Sequence, residues 1–303
     1  MQISTNQFYM SSNALMQALS SQADKLQTQI STGKRLQAPS DDVVAYQQLQ
    51  LLSRATANDT AYKANIDMAQ SLLDQSDSTL SSIVTQIQRV QELTVEANSD
   101  TLSDSGRQAI STELKAIVQT LTQLANSQDQ RGNALFGGSQ GGTPVTLNPD
   151  GSVTINDTGQ AAAIPIGEAQ TVVPTETAQD VFGGIQTGSG TTDLFSIISG
   201  LTQALDAGGS VTAAASAAGD ALKTALDHVS DAQASIGARG ARLTLLSSAM
   251  TDIAATRETQ RSSLEDTNVT QAITDLQKTM TILQATQASF TKLTSMSLFD
   301  YLR

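Results

Sequence analysis

His228 is the only histidine in the chain, and there is no cysteine. One imidazole and no thiolate leave no histidine-based metal cluster and no Ser-His-Asp or Cys-His arrangement within a single copy. Flanked by Leu226 and Val229, His228 reads as an ordinary helix residue. No H-E-x-x-H, P-loop or G-x-S-x-G run occurs. The pairs Gly137-Gly138 and Gly141-Gly142 do not follow a strand and open a helix in the dinucleotide-binding manner, so they read as hinges. Two acidic pairs remain, Asp41-Asp42 and Glu265-Asp266. Paired carboxylates could hydrolyse a glycoside, but acids at a helix start have plainer work. Ser40 would cap the amides of a helix that it opens, and Asp41 and Asp42 would complement the helix dipole. These residues point to a protein that is not an enzyme and takes no cofactor or metal.

Composition bounds the partners. The net charge of −12 and pI near 4.4 oppose nucleic acid, which rewards clustered lysine and arginine, and equally an anionic membrane surface. No apolar run approaches the roughly 18–20 residues that span a bilayer. The first basic residue is Lys25, so the basic start of a cleaved signal peptide is expected to be missing. Aromatic residues make up only 3% of the chain. Burial must then come from aliphatic helix faces, which favours narrow bundles and coiled coils.

Proline and glycine divide the chain. Four of the five prolines lie between Pro144 and Pro174, and fifteen of the twenty glycines between Gly132 and Gly209. Both residues break helices, so the middle is expected to be loop and strand between helical flanks. Val145–Leu147, the turn Asn148-Pro149-Asp150-Gly151, and Val153–Ile155 predict a hairpin. Residues 138–210 carry seven acids and no lysine or arginine, as suits a solvated, outward-facing piece that stands apart from any joint.

The flanks repeat apolar residues every three and four positions. Leu73, Leu80, Ile83, Ile87 and Val90 form one such series with Ser76 in its seam, and Ile110, Leu114, Ile117, Leu121 and Leu124 another. Ile236, Leu243, Leu246, Met250 and Ile253 make a third. Near the start, Leu15, Leu19, Leu26 and Ile30 fit with Gln22 in the seam. Near the end run Val269, Ile273, Leu276, Met280, Leu283 and Phe290, with Gln287 in the seam. Such a repeat makes a stripe that must face a partner helix. The predicted fold is mainly α with a small β-rich insert, a long helical bundle and coiled coil built from both termini. Residues 1–38 and 266–303 are the terminal helices, 39–137 and 211–265 the helical body, and 138–210 the insert. The two terminal stripes, extended by Leu293, Leu298 and Phe299, form the expected assembly interface.

Three blocks carry a resemblance. Ser31-Thr32-Gly33-Lys34-Arg35-Leu36 leads to Pro39-Ser40-Asp41-Asp42; Gln88-Arg89-Val90-Gln91-Glu92-Leu93 leads through Thr101-Leu102-Ser103-Asp104 to Leu135-Phe136-Gly137-Gly138; and Ile236-Gly237-Ala238-Arg239 opens a tail that closes at Ser297-Leu298-Phe299-Asp300. They resemble the flagellin superfamily. Met1-Gln2-Ile3-Ser4-Thr5, Leu283-Gln284-Ala285 and Ala288-Ser289-Phe290 are similar to its members at the junction of hook and filament. Phe299 and Tyr301 are bulkier than the tail of a flagellin, the alternative reading. The resemblance implies an extracellular structural subunit of the bacterial flagellum, exported through the flagellar type III channel. It implies helical ends that pair in an inner tube. The implied partners are flagellin, hook-associated protein 1, other copies in a ring, and an export chaperone at the C-terminal helix.

Overall fold

The computed structural model describes residues 2–99, 101–188 and 190–301, with the side chains of 7–292 among them. The chain divides into two compact units, one formed by residues 1–58 and 252–303, the other by residues 59–251. Seven helices are described: α1 (Gln2–Thr32), α2 (Val43–Ala97), α3 (Asp104–Ala125), α4 (Ala178–Phe182), α5 (Leu194–Ala207), α6 (Thr212–Glu265) and α7 (Val269–Tyr301). Between α3 and α5 lie three antiparallel strand pairs: β1 (Val145–Leu147) with β2 (Val153–Ile155), β3 (Ile164–Gly167) with β4 (Gln170–Val172), and β5 (Ile185–Thr187) with β6 (Gly190–Thr192). The mainly helical fold with its small β-rich middle, including the β1–β2 hairpin paired Val145 to Ile155, is as expected.

In the middle unit the heptads do what their spacing requires. Ile66, Ala69, Leu73, Ser76, Leu80, Ile83, Ile87 and Val90 of α2 are all fully buried. They share one core with Ile110, Leu114, Ile117 and Leu121 of α3 and with Leu222, Val229, Ile236 and Leu243 of α6. Ser103 caps α3 by accepting from the Gly106 amide at 3.2 Å. Asp104 then sits in the first turn, where its charge suits the helix dipole.

Two expectations for the middle need correction, and the packing of the insert is a third finding. First, α5 is a fourteen-residue helix, not loop. Asp193 caps it by accepting from the Ser196 amide, and Gly208 at φ +71° ends it. Only Gly200 lies within it, so the glycines around it mark its ends. Second, the insert packs against the helices of its own chain. Phe136, Phe182 and Phe195 are wholly buried and stack edge-on or tilted at 5.6–5.8 Å. Three of the chain's ten aromatic residues thus sit where the insert meets the bundle. Its acids are also engaged: Asp206 accepts from Lys115 and Ser111, and Glu176 pairs with Arg239. Third, Gly138 is a close approach and not a hinge. A methyl group there would meet the carbonyl oxygens of Gly159 and Thr158 at 2.1 and 2.2 Å.

Candidate assembly interface

The terminal unit is built on α1 packed against α7. Along α1 the inward positions are Tyr9, Ser12, Met16, Leu19, Ala23, Leu26 and Ile30, alternating by three and four. Along α7 they are Ala272, Leu276, Thr279, Leu283, Thr286 and Phe290. The Tyr9 and Phe290 rings meet edge to face at 5.5 Å. At the other end Lys34 and Asp266 form a β-bridge. The helices therefore run antiparallel.

This seam differs in register from the sequence stripes, and the difference is informative. Leu19, Leu26, Ile30, Leu276, Leu283 and Phe290 are half-buried as components of both series. Ala23 replaces Gln22, and Met16 replaces Leu15, which is 51% exposed. On α7, Ala272 and Thr279 are buried where Ile273 and Met280 had been placed. Val269, Ile273 and Met280 stay 41–43% exposed. Each helix thus has an inner flank of smaller residues that closes the hairpin, and an outer apolar flank that no described residue covers. Half of the C-terminal stripe is met by α1. Leu293, Leu298 and Phe299 lie outside the described side chains. The large apolar residues mark the outer flank, while alanine and threonine on the inner one carry no such signal.

A charged clasp ties the two linkers of this unit. The Arg35 amide donates to the Glu265 carbonyl at 2.7 Å, its guanidinium to the Leu264 carbonyl at 3.1 Å, and the Thr267 amide to the Gly33 carbonyl at 2.8 Å. Lys34 and Arg261 both reach Glu265, at 2.5 and 2.6 Å. Their hydrogen bonds, Lys34's foremost, hold the Glu265 carboxyl below the usual range. Gly33 at φ +70° makes the turn possible without strain. Asp41 accepts from Lys25 at 2.7 Å and from the Gln37 and Ala38 amides, which lowers its pKa to about 2. The helix cap falls to Asp42, whose side chain accepts from the Ala45 amide at 3.0 Å, rather than to Ser40, because α2 begins only at Val43. The paired acids thus fasten and cap.

His228 meets the Asp180 carbonyl at 2.9 Å. Among the described residues no group of three or more His, Cys, Asp or Glu could hold a metal ion, and no helix is long and apolar enough to cross a membrane.

A pair of long terminal helices, a helical body and a packed β-rich middle are the parts of a protein of the flagellin-like class. A family model of the bacterial flagellin N-terminal helical region matches residues 3–141. Flagellar hook-associated protein 3 of Salmonella typhimurium is 30% identical over 318 residues, covering 99% of each chain. The crystal structure of hook-associated protein 3 from Legionella pneumophila superposes with a TM-score of 0.65, covering 71% of this chain and 98% of its own at 18% identity. Likeness to flagellins is shorter: that of Listeria monocytogenes is 23% identical and covers 52% of this chain and 55% of its own. The chain belongs to the flagellar hook-associated protein 3 family.

Proposed function

We propose that this protein is the structural subunit joining the hook of the bacterial flagellum, on its hook-associated protein 1 side, to the flagellin filament. The observation that carries the reading is the outer flank of the terminal unit. Leu15, Val269, Ile273 and Met280 present large apolar side chains to water at heptad-related spacing. Burying one such side chain is worth about 1.5–3 kcal/mol, so the stripe is a standing incentive to add helices from other subunits. Neighbouring copies in a ring supply them sideways; hook-associated protein 1 and flagellin supply them at the two ends. The same α7 flank suits an export chaperone, which would hold it as an amphipathic helix in a groove before the chain leaves through the flagellar type III channel. The task is mechanical, and no group in the chain is asked to do chemistry.

Imaging flagella with a tag on this subunit tests the reading. A single labelled zone where hook meets filament is expected. Label along the whole filament would make the protein a flagellin instead, the alternative that the shorter flagellin likeness disfavours.

A further inference from the structure

The chain has seven methionines and no cysteine. A mild two-electron oxidant such as hydrogen peroxide therefore finds only thioether sulfur to attack. Exposure sorts these sulfurs by unit. Met10 of α1 and Met280 of α7, both in the terminal unit, are 69% and 43% exposed. Met68 and Met250 of the middle unit are half-buried. The Met68 sulfur also accepts from Arg131 Nη1 at 3.3 Å, and Met250 packs against the core. The two exposed methionines differ in their surroundings. Side chains that adjoin one another along a helix stand three, four and seven positions apart. Around Met10 those positions hold Gln7, Asn13, Ala14 and Gln17. Around Met280 they include Ile273, Leu276 and Leu283, the apolar stripe of α7.

We infer that Met280 is a redox-modification site, at which oxidants of the peroxide class switch the outer flank of α7 from a packing surface to a solvated one. The inference rests on the reading of that flank as part of the joint. In the step, a lone pair on Met280 Sδ attacks one peroxide oxygen; an S–O bond forms and the O–O bond breaks. The sulfur gives up two electrons. The departing hydroxide takes the proton from the transferred oxygen and leaves as water. The product is the sulfoxide, a polar side chain whose oxygen accepts hydrogen bonds. Against a neighbour's apolar helix that oxygen would be buried without a donor, so the oxidised flank stays in water. Methionine sulfoxide reductase returns the thioether, and the change is reversible. Oxidation of Met10, which adjoins no large apolar side chain among those described along α1, leaves the joint as it was. Neighbours that cover the flank also shield its sulfur, so the switch acts on subunits not yet assembled.

The test uses the purified full chain, treated with hydrogen peroxide and mapped by peptide mass spectrometry. It is then supplied to cells whose hooks lack this subunit, and attached filaments are counted. Oxygen is expected on Met10 and Met280 before Met68 and Met250. Oxidised wild-type protein should attach fewer filaments by roughly tenfold or more, the fold-change of burying one unpaired polar group, and the reductase should restore the count. Met280→Leu removes the sulfur and keeps an apolar side chain of similar volume. After oxidation this variant should attach filaments as untreated protein does, whereas Met10→Leu should stay as sensitive as the wild type. Unoxidised Met280→Gln, polar and of similar length, should lose attachment by the same factor while the subunit keeps its melting temperature. Oxidation of Met68 or Met250 first would overturn the inference. So would an equal loss of attachment in oxidised wild type and oxidised Met280→Leu. Label along the whole filament from untreated protein would instead overturn the proposed function; the order of oxidation is read on the free subunit either way.

Discussion

The two units of this molecule are made from one chain by opposite rules. The terminal unit contains nine basic and nine acidic residues; the middle unit contains eight and twenty, and so holds the entire net charge of −12. Burial is reversed as well. Among the described residues, the terminal unit fully buries only Ala23, Leu36, Ala45 and Ala272 of its apolar side chains. Eleven of the fourteen large apolar residues left exposed also belong to it, from Phe8 to Ile282. The middle unit has a continuous aliphatic and phenylalanine core. One unit is complete alone and repels its like. The other is unfinished and electrically indifferent to its like, which is the condition for many copies to gather through it.

Paired substitutions should sharpen that contrast most. Leu114→Ala in the middle unit removes a wholly buried side chain and should cost about 2–5 kcal/mol. At roughly 2–4 °C per kcal/mol for a unit of this size, calorimetry should show a clear fall in Tm. Met280→Asp in the terminal unit should leave that transition within about 1 °C yet abolish filament attachment. A large fall in Tm from Met280→Asp would dissolve the distinction. Phe182→Ala comes next: losing the ring between Phe136 and Phe195 should cost the middle unit about 3–5 kcal/mol. Were the insert an independent appendage, the helical transition would not move.

A smaller effect is confined to the terminal unit. The Asp41 carboxyl is held at about 2 by Lys25 and two backbone amides, against an ordinary value near 3.8. Its contribution is present above the ordinary value and disappears as pH falls from about 4 to about 2. Glu265, also lowered, acts in the same direction. Amide exchange at residues 33–42 and 265–268 should therefore accelerate over this interval before the middle unit responds. Simultaneous change in both units would place the acid-sensitive groups elsewhere. The smallest effect expected is from Asp42→Ala, which removes the cap of α2 at about 1 kcal/mol. It should be visible as faster exchange in the first turn after Val43 and nowhere in the middle unit.

The sequence carries the long helices plainly, because leucine and isoleucine at alternate threes and fours leave one reading. Leu80, Ile83, Ile87 and Val90 are buried as that spacing demands. Helix α5 is hidden in the sequence because dense glycine signals broken structure, whereas Asp193 and Gly208 bound the helix from outside. The Phe136–Phe182–Phe195 cluster spans residues far apart in sequence, and no local period connects them. At the interface the stripes themselves were legible, but not which flank faces inward. In α7 the two candidate seams share Leu276, Leu283 and Phe290 and differ by one residue elsewhere. Only the partner's surface decides between Thr279 and Met280, and that surface lies some 260 residues away in the chain, around Leu19 and Ala23.

The inner seam closed by Ala23, Ala272, Thr279 and Thr286 has a consequence for how the terminal unit responds to its surroundings. Small side chains remove little apolar area from water, so the α1–α7 hairpin holds shut with a modest free energy of its own. Its order is then governed by mass action: each neighbour that binds the closed form adds RT ln(1 + [L]/Kd) to it. A subunit free in solution and a subunit within an array would differ in the firmness of these helices without any change in their sequence or their fold. Binding by neighbours would then raise the temperature at which these helices melt.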